Sequence, residues 1–413
     1  MCACYSTRLC RLVEPGSSTG TTLRRMGAGH YLVTLAASAA VLAALAPRQG
    51  DVHRWPERAP DGLMPDTENT GPLSTEGYTR QGVTFPSLQR DAQLASWLYL
   101  PKAAAAGPPP CVIMAHGMGG QRDFGLHPYA AAFATAGFAV FLFDYRGFGG
   151  SSGLPRHWVS PARHLQDWQA ALDFLKGPEL EGKLDAQRLL LWGTSYSGGH
   201  VLVTAARQNS SHVKGVVSQV PHLSGPLASS KSVQRRGLLP SLRLFLAGCL
   251  DAAGSRLGLA PLYVRLAGLR GSVAFMALDP DELKTYEAKH PAVKQGGWQN
   301  LGLARLALEA PRYSPVDSLP ALKAAGTRVL FLSAVRDSLC PHEVVMQAAG
   351  QLGAEVLAYD VDHFSLYVSP VFQQSVSRML AFMCEATGHT CSLGTEKEQP
   401  APVGSSKLQS AAS

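Results

Sequence analysis

Six short apolar runs constrain this chain more than any other feature. They are CVIMA (Cys111–Ala115), FAVFLF (Phe138–Phe143), LLLWG (Leu189–Gly193), GVVSQV (Gly215–Val220), RVLFLSA (Arg328–Ala334) and EVLAYD (Glu355–Asp360). Most lack polar alternation. A strand without a polar face has to be covered on both sides, which is the position of a strand inside a parallel sheet. Helical patterns stand between most of the runs, at Pro128–Ala136, Ala162–Leu175, Gly198–Arg207, His342–Leu352 and Pro370–Ala386. Two earlier β-rich segments, Val83–Leu88 and Leu94–Leu100, bring the expected strands to eight. The fold class that follows is α/β, a doubly wound, mostly parallel eight-stranded sheet between two helical layers. The alternation fails once, over 223–319, where Leu, Ala and Arg dominate with Gly and Pro breaks. This segment reads as an inserted, mainly helical cap. With 46% hydrophobic residues in 413, a core of this size is affordable.

The ends read differently. Residues 1–50 carry five arginines against Glu14 alone, and the apolar run Tyr31–Ala46 stops at Pro47. Sixteen residues fall short of the ~20 that a spanning helix needs. Three readings compete: a transit peptide for a mitochondrion or plastid, a secretory signal or short membrane anchor, and an extension without function in a cytoplasmic protein. Only the second gives Tyr31–Ala46 a membrane contact. Residues 51–81 read as a linker. The core is then expected over 82–222 and 320–390, and 391–413 reads as a polar, disordered tail. Its Ser406-Lys407-Leu408 is followed by five more residues and is discounted as a peroxisomal address. The net charge of +7 is concentrated at the N-terminus, and no basic stripe with interleaved aromatics suggests nucleic acid. The eight cysteines show no zinc spacing and read as unpaired thiols, with a Cys384–Cys391 bridge as the main exception.

The segment Gly193-Thr194-Ser195-Tyr196-Ser197-Gly198-Gly199 joins an apolar strand to a helix. A serine in so tight a strand-to-helix turn is pushed into the crevice beyond the strand ends, where ligands bind in such sheets. The pattern is a nucleophile elbow, G-x-S-x-G, with serine in place of the last glycine. Centring on Ser197 also fits small residues, but the apolar run stops at Trp192-Gly193, which makes Ser195 the turn residue. A serine nucleophile needs a base, and the base an orienting carboxylate. Asp337 follows the strand Arg328–Ala334, and His363 follows Glu355–Asp360, so both project at the same sheet edge as Ser195. Asp360 and Asp362 are rival acids. The other histidines have bland readings, His200 behind Ser195 and His164 on a surface helix among them. Two backbone amides should hold the oxyanion: that of Tyr196, and that of Met118 in the glycine-rich loop His116–Asp123.

Four stretches, VIMAHGMGG at Val112, FLFDYRGFGGSSG at Phe141, LLLWGTSYSGGHVL at Leu189, and the late RDSLCP and DHF, resemble the α/β-hydrolase superfamily. Within it the chain is similar to the dienelactone-hydrolase-like and serine-aminopeptidase-like (Xaa-Pro-dipeptidyl-peptidase-like) group. The resemblance covers about Val83 to Ala386. It implies acyl transfer from a small-molecule ester, thioester or amide to water through Ser195, His363 and Asp337, with no metal or organic cofactor. An acyltransferase would use the same residues, and a catalytically silent binding or scaffold protein would keep only the shape. Asp144 and Arg146 sit in a stretch that resembles a structural loop of the family. If 223–319 forms a lid over an apolar acyl pocket, Met276, Leu278, Trp298 and Leu301 are expected to line it.

Overall fold

The computed structural model describes residues 43, 45–54, 73–102, 107–208, 212–288 and 298–390. The chain divides into two units, Met1–Leu45 and Ala46–Ser413. The first lies almost wholly outside the described residues, as do Tyr31–Ala46 and the tail 391–413. Among the described residues no helix is long and apolar enough to cross a membrane.

The second unit is built on a nine-stranded sheet. Its strands are β1 (Leu73–Ser74), β2 (Tyr78–Pro86), β3 (Gln93–Pro101), β4 (Pro110–Ala115), β5 (Ala139–Phe143), β6 (Asp185–Thr194), β7 (Val213–Gln219), β11 (Val329–Ala334) and β12 (Glu355–Tyr359). The spatial order is β1-β2-β3-β5-β4-β6-β7-β11-β12. From β5 to β12 every pairing is parallel, while β1, β2 and β3 add on antiparallel. The ninth strand beyond the expected eight is the two-residue β1, too short to leave a pattern in sequence. β2 begins at Tyr78, inside the segment read as a linker. Burial follows position. β4, β5 and β11 are buried along their whole length, and edge-proximal β2 alternates.

Among the described residues five helices cover the sheet: α1 (His127–Thr135), α2 (Pro161–Leu175), α3 (Tyr196–Arg207), α7 (His342–Leu352) and α8 (Val371–Thr387). Two apolar clusters result. One includes Trp168, Val201 and Leu202; the other packs Phe133 and Met383 against Val140, Trp192 and Leu330. Cys384 on α8 is in a disulfide, while Cys111, Cys249 and Cys340 are free thiols. Cys391, its expected partner, lies outside the described residues.

The excursion over 223–319 departs from the expected helical cap. It holds α4 (Gly225–Arg236), α5 (Leu238–Arg256) and α6 (Pro280–Ala288), but also a three-stranded sheet of β8 (Tyr263–Leu269), β9 (Ala274–Leu278) and β10 (Leu301–Leu303), ordered β10-β8-β9. Leu262–Leu269 and Val273–Leu278 are short apolar runs, and length alone does not tell a strand from a buried helix turn. Pairing β8 with β9 and β10 satisfies their backbone, and Leu244, Val264, Leu266 and Met276 join the core cluster of the main sheet. Arg305 ties the excursion together through a buried ion pair with Asp251, Nε to Oδ2 at 2.6 Å.

Candidate active site

The chain order reverses direction across the sheet beside β4, with β5 on one side and β6 on the other. Ligand crevices open at such switch points, beyond the carboxyl ends of the strands. β6 delivers Ser195 there. Ser195 has φ 56° and ψ −118°, a conformation that costs a non-glycine residue about 1–3 kcal/mol and persists only where its surroundings fix it. Its N–H donates to the Gln219 carbonyl at 2.8 Å, and its carbonyl accepts from the His222 amide at 2.9 Å. The turn needs Gly193, since a Cβ there would collide with the Ser197 carbonyl oxygen. The serine at the pattern's last position is explained by its contact: Ser197 is buried on α3, with its hydroxyl 2.8 Å from that of Tyr145. Only Ser195 of the two faces the crevice.

The Ser195 hydroxyl lies 3.1 Å from His363 Nε2. His363 Nδ1 donates to Asp337 Oδ2 at 2.7 Å. The second carboxylate oxygen, Oδ1, accepts from the amides of Leu339 (2.8 Å) and Cys340 (2.7 Å), which fixes the carboxylate plane. His363 is 1% exposed and Asp337 7%, so water has little access to the chain of hydrogen bonds. The rival acids are engaged elsewhere. Asp360 is exposed and pairs with Arg336. Asp362 receives the amides of Phe364 and Ser365 and the Ser365 hydroxyl; burial raises its pKa, and those hydrogen bonds more than offset it, leaving the group below the ordinary carboxylate range.

Tyr196 opens α3, where a first-turn N–H has no intrahelical acceptor. Met118 stands on the facing loop after β4, and a Cβ at Gly117 would come within 2.9 Å of Ser195 Cβ, so glycine permits that approach. The excursion braces this loop: Trp298 Nε1 donates to the Gly119 carbonyl at 2.8 Å. Asp144 braces it from below, accepting from the Arg122 amide at 2.6 Å and the Gly150 amide at 3.0 Å. Arg146 in turn is locked to Asp167, Nε to Oδ1 at 2.6 Å. Both therefore carry structure, in line with the reading of that stretch as a structural loop.

A pocket of about 240 Å³ opens beside Ser195, walled by Met118, Tyr196, Leu244, Phe275, Met276 and Leu339, among others. Of the four expected lining residues only Met276 lies there. Leu278, Trp298 and Leu301 do not line it. Leu278 is fully buried in β9. Leu301 pairs with Arg265 and gives its carbonyl to His157. Trp298 sits elsewhere because its buried indole N–H needs an acceptor and finds it in the Gly119 carbonyl of the loop. Many of the missed lining residues come from α4 and α5, with Phe275 on β9 and Leu339 after β11 among the rest. Their signal in sequence is faint: a polar helix, Ala228–Arg236, inside an otherwise apolar excursion.

Asp337, Cys340 and His363 are the ligand types that can hold a metal, with one atom from each lying within 4.8 Å of the others. A cation there would have to compete with the His363–Asp337 hydrogen bond. Burial pushes the Cys340 thiol pKa well up and Asp337 adds to this, so it stays protonated.

Beneath the site lies a group of buried imidazoles. His164 belongs to it rather than to a surface: it stacks on Tyr145 with ring centroids 3.9 Å apart and meets His200 at 3.2 Å. Burial lowers His116 and His222 to about 4 and His157 to about 3, and drives His164 and His200 well below the ordinary value. An imidazole held neutral in the folded chain but free to take a proton when unfolded leaves stability intact above about pH 6.5 and removes it as pH falls, by about 1.4 kcal/mol per pH unit for each such group. The urea midpoint is therefore expected to drop steeply between pH 7 and pH 5.5. A flat midpoint across that range would contradict the neutral, buried assignment.

Residues 107–362 match the family model described as serine aminopeptidase, S33. The chain belongs to the α/β-hydrolase superfamily. It is 34% identical over 294 residues to the quorum-quenching protein AidA of Acinetobacter baumannii, covering 71% of this chain and 91% of that one. It is 33% identical over 113 residues to the thiohydrolase aneE of Aspergillus aculeatus, covering 27% of this chain and 33% of that one. In structure it is similar to the α/β-hydrolase GrgF of Penicillium sp. sh18, with a TM-score of 0.59 at 20% identity, covering 75% of this chain and 99% of that one. Hydrolase-named relatives and the family match place this α/β-hydrolase among enzymes.

Proposed function

We propose that this hydrolase cleaves a carboxylic ester or thioester through an acyl-enzyme on Ser195. The observation that carries the reading is the hydrogen-bonded chain Ser195–His363–Asp337 opening into a largely apolar pocket. In the forward step Ser195 Oγ attacks the carbonyl carbon as its proton passes to His363 Nε2. Asp337 Oδ2 holds Nδ1–H and stabilises the imidazolium. The amides of Met118 and Tyr196 receive the oxyanion. As the C–O or C–S bond breaks, His363 returns the proton to the leaving alcohol or thiol. Water, deprotonated by the same nitrogen, then releases the acid and restores Ser195. The named thiohydrolase among the relatives supports keeping thioesters beside esters.

The excursion serves here as a lid that shapes the acyl pocket. A series of p-nitrophenyl esters from acetate to laurate tests this. kcat/KM should rise about fourfold per methylene, the equivalent of ~0.8 kcal/mol, until the pocket is full. A profile that peaks at acetate would remove the pocket from substrate binding. Running the series with and without an added alcohol separates hydrolysis from acyl transfer.

A further inference from the structure

The pocket beside Ser195 is largely apolar, yet one of its walls is not. Ser229, Ser232 and Arg236 of α4 sit at i, i+3 and i+7 and all line the pocket. That spacing places them on one helical face, as a polar stripe running along the cavity. Neither Ser229 nor Ser232 hydrogen-bonds through its hydroxyl to another described residue.

Arg236 is only 6% exposed. Nε donates to the Ala274 carbonyl at 2.6 Å and Nη2 to the Phe275 carbonyl at 2.7 Å; Nη1 reaches the Ser241 hydroxyl at 3.4 Å. A guanidinium carries five N–H donors, so two are left over. Among the described residues no carboxylate pairs with it, whereas buried Arg146 and Arg305 each have an aspartate. Burial lowers Arg236 to about 10, which leaves it charged at neutral pH. A buried cation without a counter-charge is unfavourable, and a pocket wall is where a ligand can supply that charge. A few convergent polar groups in an apolar cavity also fix which way a ligand lies.

We infer that Arg236, with the Ser229 and Ser232 hydroxyls, forms an anion subsite for a carboxylate carried on the acyl chain of the substrate, away from the scissile carbonyl. The substrate class is then the monoester or monothioester of a medium-chain dicarboxylic acid. The inference rests on the reading of Ser195 as the acylated residue, and the test separates the two. The full chain with Ser195→Ala is titrated by calorimetry with the monomethyl esters of adipate, suberate and sebacate, and with methyl hexanoate, octanoate and decanoate. At one chain length the acidic ester should bind about tenfold or more tightly than its neutral partner, as a hydrogen-bonded charge pair provides. Adding Arg236→Gln should bring that ratio close to one, and Arg236→Lys should leave it in between. Neutral esters binding as tightly at every length would overturn the inference, as would an advantage that survives Arg236→Gln. Should Arg236→Gln unfold because β9 loses its donors, Ser232→Val takes its place and should reduce the ratio at unchanged circular dichroism. Binding needs no turnover. Parent protein that prefers acidic esters but hydrolyses none would retain the subsite and reject the hydrolase reading; turnover with no acidic preference would do the reverse.

Discussion

Ser195→Ala is expected to lower kcat by on the order of 10⁶-fold and to abolish covalent labelling by a fluorophosphonate probe, since removing the nucleophile of a triad costs about as much as removing all three members. The residue lies on the sheet's crevice side, and its hydroxyl has the His363 acceptor at 3.1 Å. Ser197→Ala is the internal control. It deletes a buried hydrogen bond to Tyr145 and should cost about 1 kcal/mol of stability with labelling intact. Labelling that persists in Ser195→Ala and vanishes in Ser197→Ala would place the elbow two residues later and remove Ser195 from the mechanism.

Asp337→Asn comes second, with an expected loss in kcat of on the order of 10⁴-fold. The reason is local. The two amides of Leu339 and Cys340 point at one oxygen of the side chain. An asparagine would present its carbonyl to them and turn its NH₂ toward His363 Nδ1. That nitrogen would then accept, the proton would sit on Nε2, and Nε2 could no longer take one from Ser195. Folding should be nearly unchanged, so the loss reads on the tautomer. Asp360→Asn and Asp362→Asn should cost far less, because neither carboxylate reaches the imidazole. Near-parental activity in Asp337→Asn would move the orienting acid elsewhere.

The parts of the molecule that were legible in sequence are those whose burial is two-sided. β4, β5, β6, β7, β11 and β12 announce themselves because each carries an apolar run mostly buried on both faces, and the sequence pattern bounds α7 to the residue. The positions of Ser195, Asp337 and His363 follow from where those strands stop, so their convergence at one edge could be read from strand ends alone. The excursion resisted for the opposite reason. Tyr263–Leu269 is buried except at Arg265 and Leu269, a pattern that fits either element at that length. Which of its residues face Ser195 depends on how it docks, and docking is not a local property. Trp298 shows the cost of arguing from size: an indole is half a hydrophobe and half a donor, and the donor decided its place. The polar face of α4 gives no such signal, because serine and arginine on a helix read as solvent-facing until the cavity beside them is known.

Ser195 and His363 are 168 residues apart along the chain, and they hang from different parts of the sheet. β6 lies in the interior, whereas β12 is the rim strand, paired among the described strands with β11 alone. A growing chain thus holds the Ser195 hydroxyl, its strained turn and its glycine loop long before it holds the His363 imidazole. The same arrangement sets the order of failure. Rims open at lower free energy than interiors. If β12 frays, the His363 imidazole departs with it while the hydroxyl stays in place, so under the proposed mechanism turnover is expected to stop while most of the sheet remains paired, and to resume when one strand rejoins.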